Sequence, residues 1–143
     1  MKDFIQRLPR DIILYIIPYT YNLQNKNLLN DIINYKKTRT LLLELYYEYW
    51  IINIQQIEEP DIDKYWLIKD IYGYANNYND TMYVDKFYNI FKRNMSLQTT
   101  EAVDKYKNNL LEKNLKTQIN IFLGLFTTSE RYHFVIACYN KLN

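Results

Sequence analysis

Scarcity of glycine is the feature that most narrows the folds open to this chain. Two glycines and three prolines occur among 143 residues, so few positions favour the repeated tight turns of all-β folds. Large apolar residues instead recur at spacings of three and four, the period of a helix with one buried face. The sequence therefore predicts an all-α fold, a single compact domain of about seven helices over residues 1–143.

Composition and charge limit the function classes. Apolar residues make up 48% and charged residues 24% of the chain, values typical of a globular protein and not of a disordered one. The net charge of +2 does not indicate binding to duplex nucleic acid or to an anionic membrane. The polar start, Met1 to Arg7, is unlike a signal peptide, and the single Cys138 fits a reducing compartment. We expect an intracellular protein without a membrane partner.

Isoleucine, asparagine and tyrosine are unusually frequent, with sixteen tyrosines in the chain. The codons of these residues are A/T-rich. We therefore attribute the excess to genome composition and not to a binding role. The same explanation applies to each individual tyrosine that looks like an interface residue.

The stretch Leu8–Asn22 predicts a short helix bounded by proline. Pro9 suits the first helical turn, Asp11 complements the helix dipole, and Pro18 stops the helix near Ile17. The apolar face of this helix comprises Ile12, Ile13, Ile16 and Ile17. A helix of two turns is unstable alone and depends on packing.

Six further helical segments are predicted from apolar spacing and end signals. They run from about Asn25 to Tyr35, Thr40 to Ile54, Asp61 or Asp63 to Gly73, Met82 to Arg93, Thr99 to Phe126, and from Thr128 onward. In the Thr40–Ile54 segment, the spacing of Glu44 and Glu48 favours one polar stripe on a helix over a strand, and we expect this helix to be central. The last segment is predicted to be a helix that bears Tyr132, Val135, Ile136 and Tyr139.

Chemically active side chains are few. His133 and Cys138 are separated by about 140° around a helix, which does not place a base beside a nucleophile. Two interpretations are open for Glu44 and Glu48. They form one half of an acid–base or metal-binding pair, or they are part of a solvated stripe. The acidic group Glu58, Glu59, Asp61 and Asp63 suggests either a calcium site or helix capping, without the ordered spacing of a calcium loop. We expect no catalytic residues, no cofactor and no metal site.

Basic residues form three groups that could contact single-stranded nucleic acid next to aromatic rings. They are Lys36, Lys37 and Arg39; Lys92 and Arg93; and Lys105, Lys107, Lys113 and Lys116. Acidic residues interleave with all of them, which favours a solvated surface over a nucleic-acid partner.

The pattern Leu8-Pro9-x-Asp11-Ile12-Ile13-x-x-Ile16-Ile17, followed by Leu28-Leu29, resembles the beginning of an F-box. That family is a small helical module that docks onto the Skp1 subunit of ubiquitin ligases. The resemblance covers residues 8–35, with a longer loop after Tyr19 than in the family and no tryptophan shortly after the paired leucines. It implies these partner-contact residues: Leu8, Pro9, Ile12, Ile13, Ile16, Leu28 and Leu29.

The phrase from Ile17 to Asn22, together with the A/T-rich composition, also resembles small proteins of large cytoplasmic DNA viruses. The resemblance implies a location in the host cytoplasm or viral factory, with the virion as an alternative.

Three hypotheses follow. The first is a non-enzymatic, adaptor-like interaction protein of viral type, with a Skp1-like subunit or a virion protein as partner. The second is a structural or virion component that assembles with itself or another virion protein, and the third is a single-stranded nucleic-acid-binding protein. Whether the first helix is core or interface, and the oligomeric state, stay open; we expect Ile13 and Ile17 to face the core and Leu14 and Tyr15 to face solvent.

Overall fold

A computed structural model describes residues 9–12, 14, 25–55, 59–79 and 81–142. The chain divides into two units, residues 1–32 and residues 33–143. The helices are α1 (Lys26–Tyr47), a π-helix (Glu48–Asn53), α2 (Ile62–Ala75), α3 (Asp85–Lys92), α4 (Thr100–Leu111), α5 (Leu115–Leu125) and α6 (Thr128–Leu142). Every regular element in the described ranges is helical, which confirms the all-α fold. The extent of one domain over residues 1–143 stays a prediction.

Helix α1 is continuous where the sequence predicted two helices. The predicted break between Tyr35 and Thr40 was wrong, because the intervening basic residues favour helix and no glycine or proline interrupts them. The choice of helix over strand for the second half is confirmed. The chain continues beyond Tyr47 as a π-helix, and the Ile54 N–H donates to the Tyr49 carbonyl at 3.0 Å.

The centre of the second unit is the pair α2 and α5, which is the most extensive helix–helix contact among the described residues. The Thr40–Ile54 segment was predicted to be central, and this was wrong. It supplies Leu42 and Tyr46 to the core, while α2 and α5 each bury a whole apolar face. The buried residues of these two faces include Leu67, Ile68, Ile71 and Ala75 on α2 and Ile119, Phe122 and Leu123 on α5.

The ends of α2 differ from the sequence prediction. Asp61 occupies the N-cap position, but its side chain makes no capping hydrogen bond and contacts Lys64 at 2.5 Å instead. Gly73 does not stop the helix, which continues to Ala75. A Cβ at Gly73 would lie 3.3 Å from the ring of Tyr78, so the small residue allows close packing of that ring.

The long helix predicted from Thr99 to Phe126 is two helices, α4 and α5. The break lies at residues 112–114, and Asn114 caps α5 because its side-chain oxygen accepts a hydrogen bond from the Thr117 N–H at 2.8 Å. Apolar spacing continues across the break because both helices bury their faces in the same core. Of the periodic apolar residues that predicted this segment, Leu111 is exposed and Tyr106 and Leu115 are half-buried. The buried ones are Val103, Leu110, Ile119, Phe122 and Phe126.

Helix α3 begins at Asp85, three residues later than predicted. The spacing of five apolar residues in this segment predicts an inward face. Phe87, Ile90 and Phe91 are buried as predicted, whereas Tyr83 and Val84, which precede the helix, are half-buried. They join the aromatic part of the core, where the ring centroids of Phe91 and Phe122 are 5.2 Å apart.

The last predicted helix is present as α6, and most of the residues whose spacing indicated it lie outside its buried face. Tyr132, Ile136 and Tyr139 are exposed, and Val135 is half-buried. The buried residues are Arg131, Phe134, Cys138 and Leu142.

Arg131 can be buried because hydrogen-bond acceptors for its guanidinium lie in the protein interior. Its Nε and Nη2 atoms donate to the Phe126 carbonyl at 3.1 and 2.8 Å, and Nη1 donates to Asn34 Oδ1 at 2.7 Å. The Phe126 carbonyl follows the end of α5, where backbone acceptors lack helical partners. Arg131 therefore joins that end to α1 and α6.

Candidate functional site

The candidate docking surface is a row of aliphatic side chains on the first turns of α1. Leu28, Leu29 and Ile32 are 54%, 44% and 49% exposed, and their helical spacing places them within one face. We call these three residues the α1 stripe. Large aliphatic groups clustered in solvent are typical of a surface that a partner covers.

The local backbone holds the α1 stripe in place. Asn25 precedes the helix, and its side-chain oxygen accepts a hydrogen bond from the Asn27 N–H at 2.9 Å. The Asn25 carbonyl accepts from the Leu29 N–H at 3.0 Å. Asn25, Asn27 and Asn30 are exposed, so the turns that carry the stripe also carry uncharged polar groups. Lys26 is exposed and Asp31 is half-buried on the same turns, so the stripe has a mixed polar and charged border.

Four of the seven residues implied by the F-box resemblance are described. Pro9, Ile12, Leu28 and Leu29 are all exposed. Leu8, Ile13 and Ile16 lie outside the described residues, as do Tyr15 and Ile17. Leu14 is exposed, as expected; the inward orientation of Ile13 and Ile17 stays a prediction.

A second apolar surface lies on α6. Tyr132, Ile136 and Tyr139 are exposed and occupy positions i, i+4 and i+7 of the helix. We call these three residues the α6 face. The neighbouring His133 is also exposed, with its ring centroid 5.9 Å from that of Tyr132. Tyrosines cost little side-chain entropy to order, so this face suits a protein interface.

Cys138 lies in the core of the second unit, whereas His133 faces solvent. The Cys138 Sγ atom is 3.4 Å from the hydroxyl oxygen of Tyr46. Burial raises the pKa of the thiol to about 12, so Cys138 is protonated at neutral pH. A buried neutral thiol is a poor nucleophile.

The candidate carboxylates are either exposed or in contact with a lysine. Glu44 and Glu48 are exposed, and Glu44 borders an open cavity of about 430 Å³ that is also lined by Arg39, Leu43, Tyr47, Asp63, Lys64 and Lys116. The Asp61 and Asp63 carboxylates are 2.5 and 3.6 Å from the Lys64 ammonium. Within the described ranges no three acidic, histidine or cysteine residues are grouped to hold a metal ion. Glu58 lies outside those ranges.

Three of the basic residues considered for nucleic-acid binding have contacts within the chain. The Arg39 Nε atom donates to Asn120 Oδ1 at 2.6 Å. Arg93 makes a bidentate pair with Glu130 at 2.7 and 2.8 Å. The Lys107 ammonium lies 4.2 Å from the ring centroid of Tyr83. These contacts give all three residues a role in the fold, and nucleic-acid binding stays a prediction.

Sequence reasoning missed the polar and aromatic contacts that join distant segments. The Asp70 carboxylate contacts both Tyr46 and Lys141, and Trp50 stacks on Trp66 with ring centroids 4.7 Å apart and planes at 6°. No local pattern indicates either contact, because the partners lie on different helices. The frequent tyrosines were the only available signal.

No protein family, curated protein or solved structure matches this sequence. Of the helices that the structure describes, none is both long and apolar enough to cross a membrane.

Proposed function

We propose that the protein is a non-enzymatic, adaptor-like interaction protein that binds a partner protein through the α1 stripe and the F-box-like residues before it. The observation that carries the proposal is the exposure of Leu28, Leu29 and Ile32 on the first turns of a helix whose start is fixed by Asn25. The F-box resemblance names a Skp1-type subunit as the partner. The proposed location is the cytoplasm of a host cell, where such subunits act.

The α1 stripe supplies part of the binding free energy. Full burial of a leucine or isoleucine side chain contributes about 1.5–3 kcal/mol, and each stripe residue has about half of its surface left to bury. The stripe therefore contributes roughly 3 kcal/mol, less than a stable complex needs. We infer that it is the centre of a larger contact, to which Ile12 belongs.

Titration of the protein with a purified Skp1 subunit in a calorimeter tests this proposal. The stripe variant Leu28→Glu/Leu29→Glu should weaken binding by at least about tenfold, because one side of the contact becomes charged. Leu111→Glu is the matched control, since Leu111 is 49% exposed on α4. Binding that is absent in the unmodified protein, or equally weakened by both changes, contradicts a Skp1-binding stripe.

The α6 face favours a second candidate, assembly with copies of the same chain or with another virion protein. Two exposed tyrosines beside Ile136 match the aromatic enrichment of protein interfaces. Sedimentation velocity at micromolar concentration tests self-assembly, with Tyr132→Glu as the variant and Tyr47→Glu as an exposed control. A concentration-dependent oligomer that Tyr132→Glu dissolves supports assembly through this face, whereas a monomer at all concentrations opposes self-assembly.

A further inference from the structure

An open cavity of about 430 Å³ in the second unit is lined by residues of α1, α2 and α5. Its volume is within the range of ligand pockets in proteins. The described lining residues include three cationic side chains, two carboxylates, a leucine and a tyrosine. Groups of both charges therefore share one lining with apolar surface.

The carboxylate of Asp63, in the first turn of α2, accepts no hydrogen bond from a described residue. Asp63 is 6% exposed, and its carboxylate is 3.6 Å from the Lys64 ammonium, which is too far for a hydrogen bond. That ammonium donates to Asp61 at 2.5 Å instead. Buried carboxylates are normally hydrogen-bonded, so a cationic donor that enters the cavity is stabilised at Asp63. The exposed Glu44 adds a second carboxylate to the lining.

The guanidinium of Arg39 is held in place by α5. Its Nε atom donates to Asn120 Oδ1 at 2.6 Å, and its two Nη atoms have no acceptor among the described residues. Lys116, at the start of α5, is exposed and makes no salt bridge with a described carboxylate. A guanidinium with two free Nη atoms is suited to a carboxylate, which can accept both hydrogen bonds.

This mixture of charges favours a zwitterion over an ion of one sign. Asp63 and Glu44 repel a simple anion, and the three cations of the lining repel a simple cation. A ligand with an ammonium and a carboxylate can interact favourably with both groups. Selection of a zwitterion requires both signs on the lining and does not depend on the net charge.

We propose that this cavity binds an α-amino acid with an apolar side chain. The α-ammonium donates to the Asp63 carboxylate, and the α-carboxylate accepts from the Arg39 Nη atoms. The apolar side chain packs against Leu43 and Tyr47, which are half-buried and 51% exposed. This ligand site is separate from the α1 stripe and does not depend on the adaptor proposal.

L-Phenylalanine is the probe, followed by NMR through the backbone amides of Lys64 and Lys116. Two analogues each lack one charge: 3-phenylpropionate has no ammonium, and phenethylamine has no carboxylate. A molecule of this size binds at about millimolar concentration. We expect saturable shifts at the two amides with phenylalanine, and about tenfold weaker binding of each analogue.

Two variants assign the charges of the ligand to the two walls. Asp63→Asn, which keeps the size of the side chain, should weaken phenylalanine about tenfold but should not weaken 3-phenylpropionate. Arg39→Gln should weaken phenylalanine to a similar extent but should not weaken phenethylamine. Asp85→Asn is the matched control, because Asp85 is an exposed aspartate in the first turn of α3; it should leave the affinity for phenylalanine unchanged.

The selectivity of the unmodified protein tests the proposal even if a variant fails to fold. The proposal is overturned if phenylalanine gives no saturable shifts at about 20 mM, well above the expected dissociation constant. It is also overturned if either analogue binds as tightly as phenylalanine, or if Asp63→Asn and Arg39→Gln both bind phenylalanine as the unmodified protein does.

Discussion

The hydroxyl of Tyr46 donates a hydrogen bond of 2.5 Å to Oδ2 of Asp70, and this contact joins α1 to α2. The Tyr46 side chain is fully buried. The same carboxylate accepts hydrogen bonds from the Lys141 ammonium at 2.6 and 2.8 Å. One carboxylate thus connects three helices that are far apart in the sequence.

Replacing Tyr46 with phenylalanine should lower the free energy of unfolding by about 1.5–3 kcal/mol, the contribution of a hydrogen bond to a charged acceptor. Urea denaturation followed by circular dichroism measures the change. Tyr88→Phe is the comparison, because its hydroxyl bonds to Asp104 at 3.2 Å in a half-buried position. A loss for Tyr46→Phe no larger than that for Tyr88→Phe would show that the Asp70 contact is not an important support of the fold.

Cys138 should make the protein less stable in alkali. Burial raises its pKa from 9.0 to about 12, so the folded protein holds the thiol proton more tightly than the unfolded chain does. This stability is present below pH 9 and is lost as the pH rises from about 9 toward 12. Melting temperatures across this range should fall less steeply for Cys138→Ala, after its own lower starting stability is subtracted. Equal slopes for the two proteins would count against the thiol contribution.

Glu130 should make the stability of the protein depend on pH in acid. Burial alone would raise its pKa, but the Arg93 guanidinium and hydrogen bonds from Thr127 lower it from 4.5 to about 2. The contribution of the Glu130 carboxylate to the stability of the fold is therefore present above pH 4.5 and is lost as the pH falls toward 2. The difference in melting temperature between the unmodified protein and Glu130→Gln should shrink over this interval. A difference that stays constant from pH 6 to pH 2.5 would contradict the assigned pairing.

Helix periodicity predicted the fold class and most of the buried residues of α3, α4 and α5. It did not predict where helices end, because the ends depend on contacts that the apolar pattern does not contain. Asn114 caps α5 through its side chain, and Gly73 accommodates a ring from beyond its helix.

The α6 face shows the second limit of sequence reasoning. Tyr132 and Ile136 fit an inward stripe as well as Phe134 and Cys138 do, and only the acceptors for Arg131 decide between them. Those acceptors come from α1 and the end of α5. The proposed docking residues were partly predictable, since Leu28 and Leu29 carry the F-box resemblance, but the sequence does not show that they are exposed.

Asn114→Ala should lower the free energy of unfolding by about 1 kcal/mol, the usual contribution of an asparagine N-cap. The reason is the loss of the 2.8 Å bond to the Thr117 N–H. Thermal and urea denaturation measure the change, and Asn140→Ala, at an exposed position of α6, is the control. If both variants are equally stable, the break between α4 and α5 does not depend on this cap.

The proposed contact between the α1 stripe and a partner protein is tested most directly by site-specific photo-crosslinking, which does not assume the identity of the partner. A photoreactive phenylalanine derivative replaces Leu29 in one version of the protein and Leu111, a leucine of similar exposure, in the other. After irradiation in the cells that make the protein, mass spectrometry identifies the adducts. We predict a discrete adduct with one other protein at position 29 and none of it at position 111. No adduct at position 29, the same adducts at both positions, or only an adduct with a second copy of the chain would contradict the adaptor function.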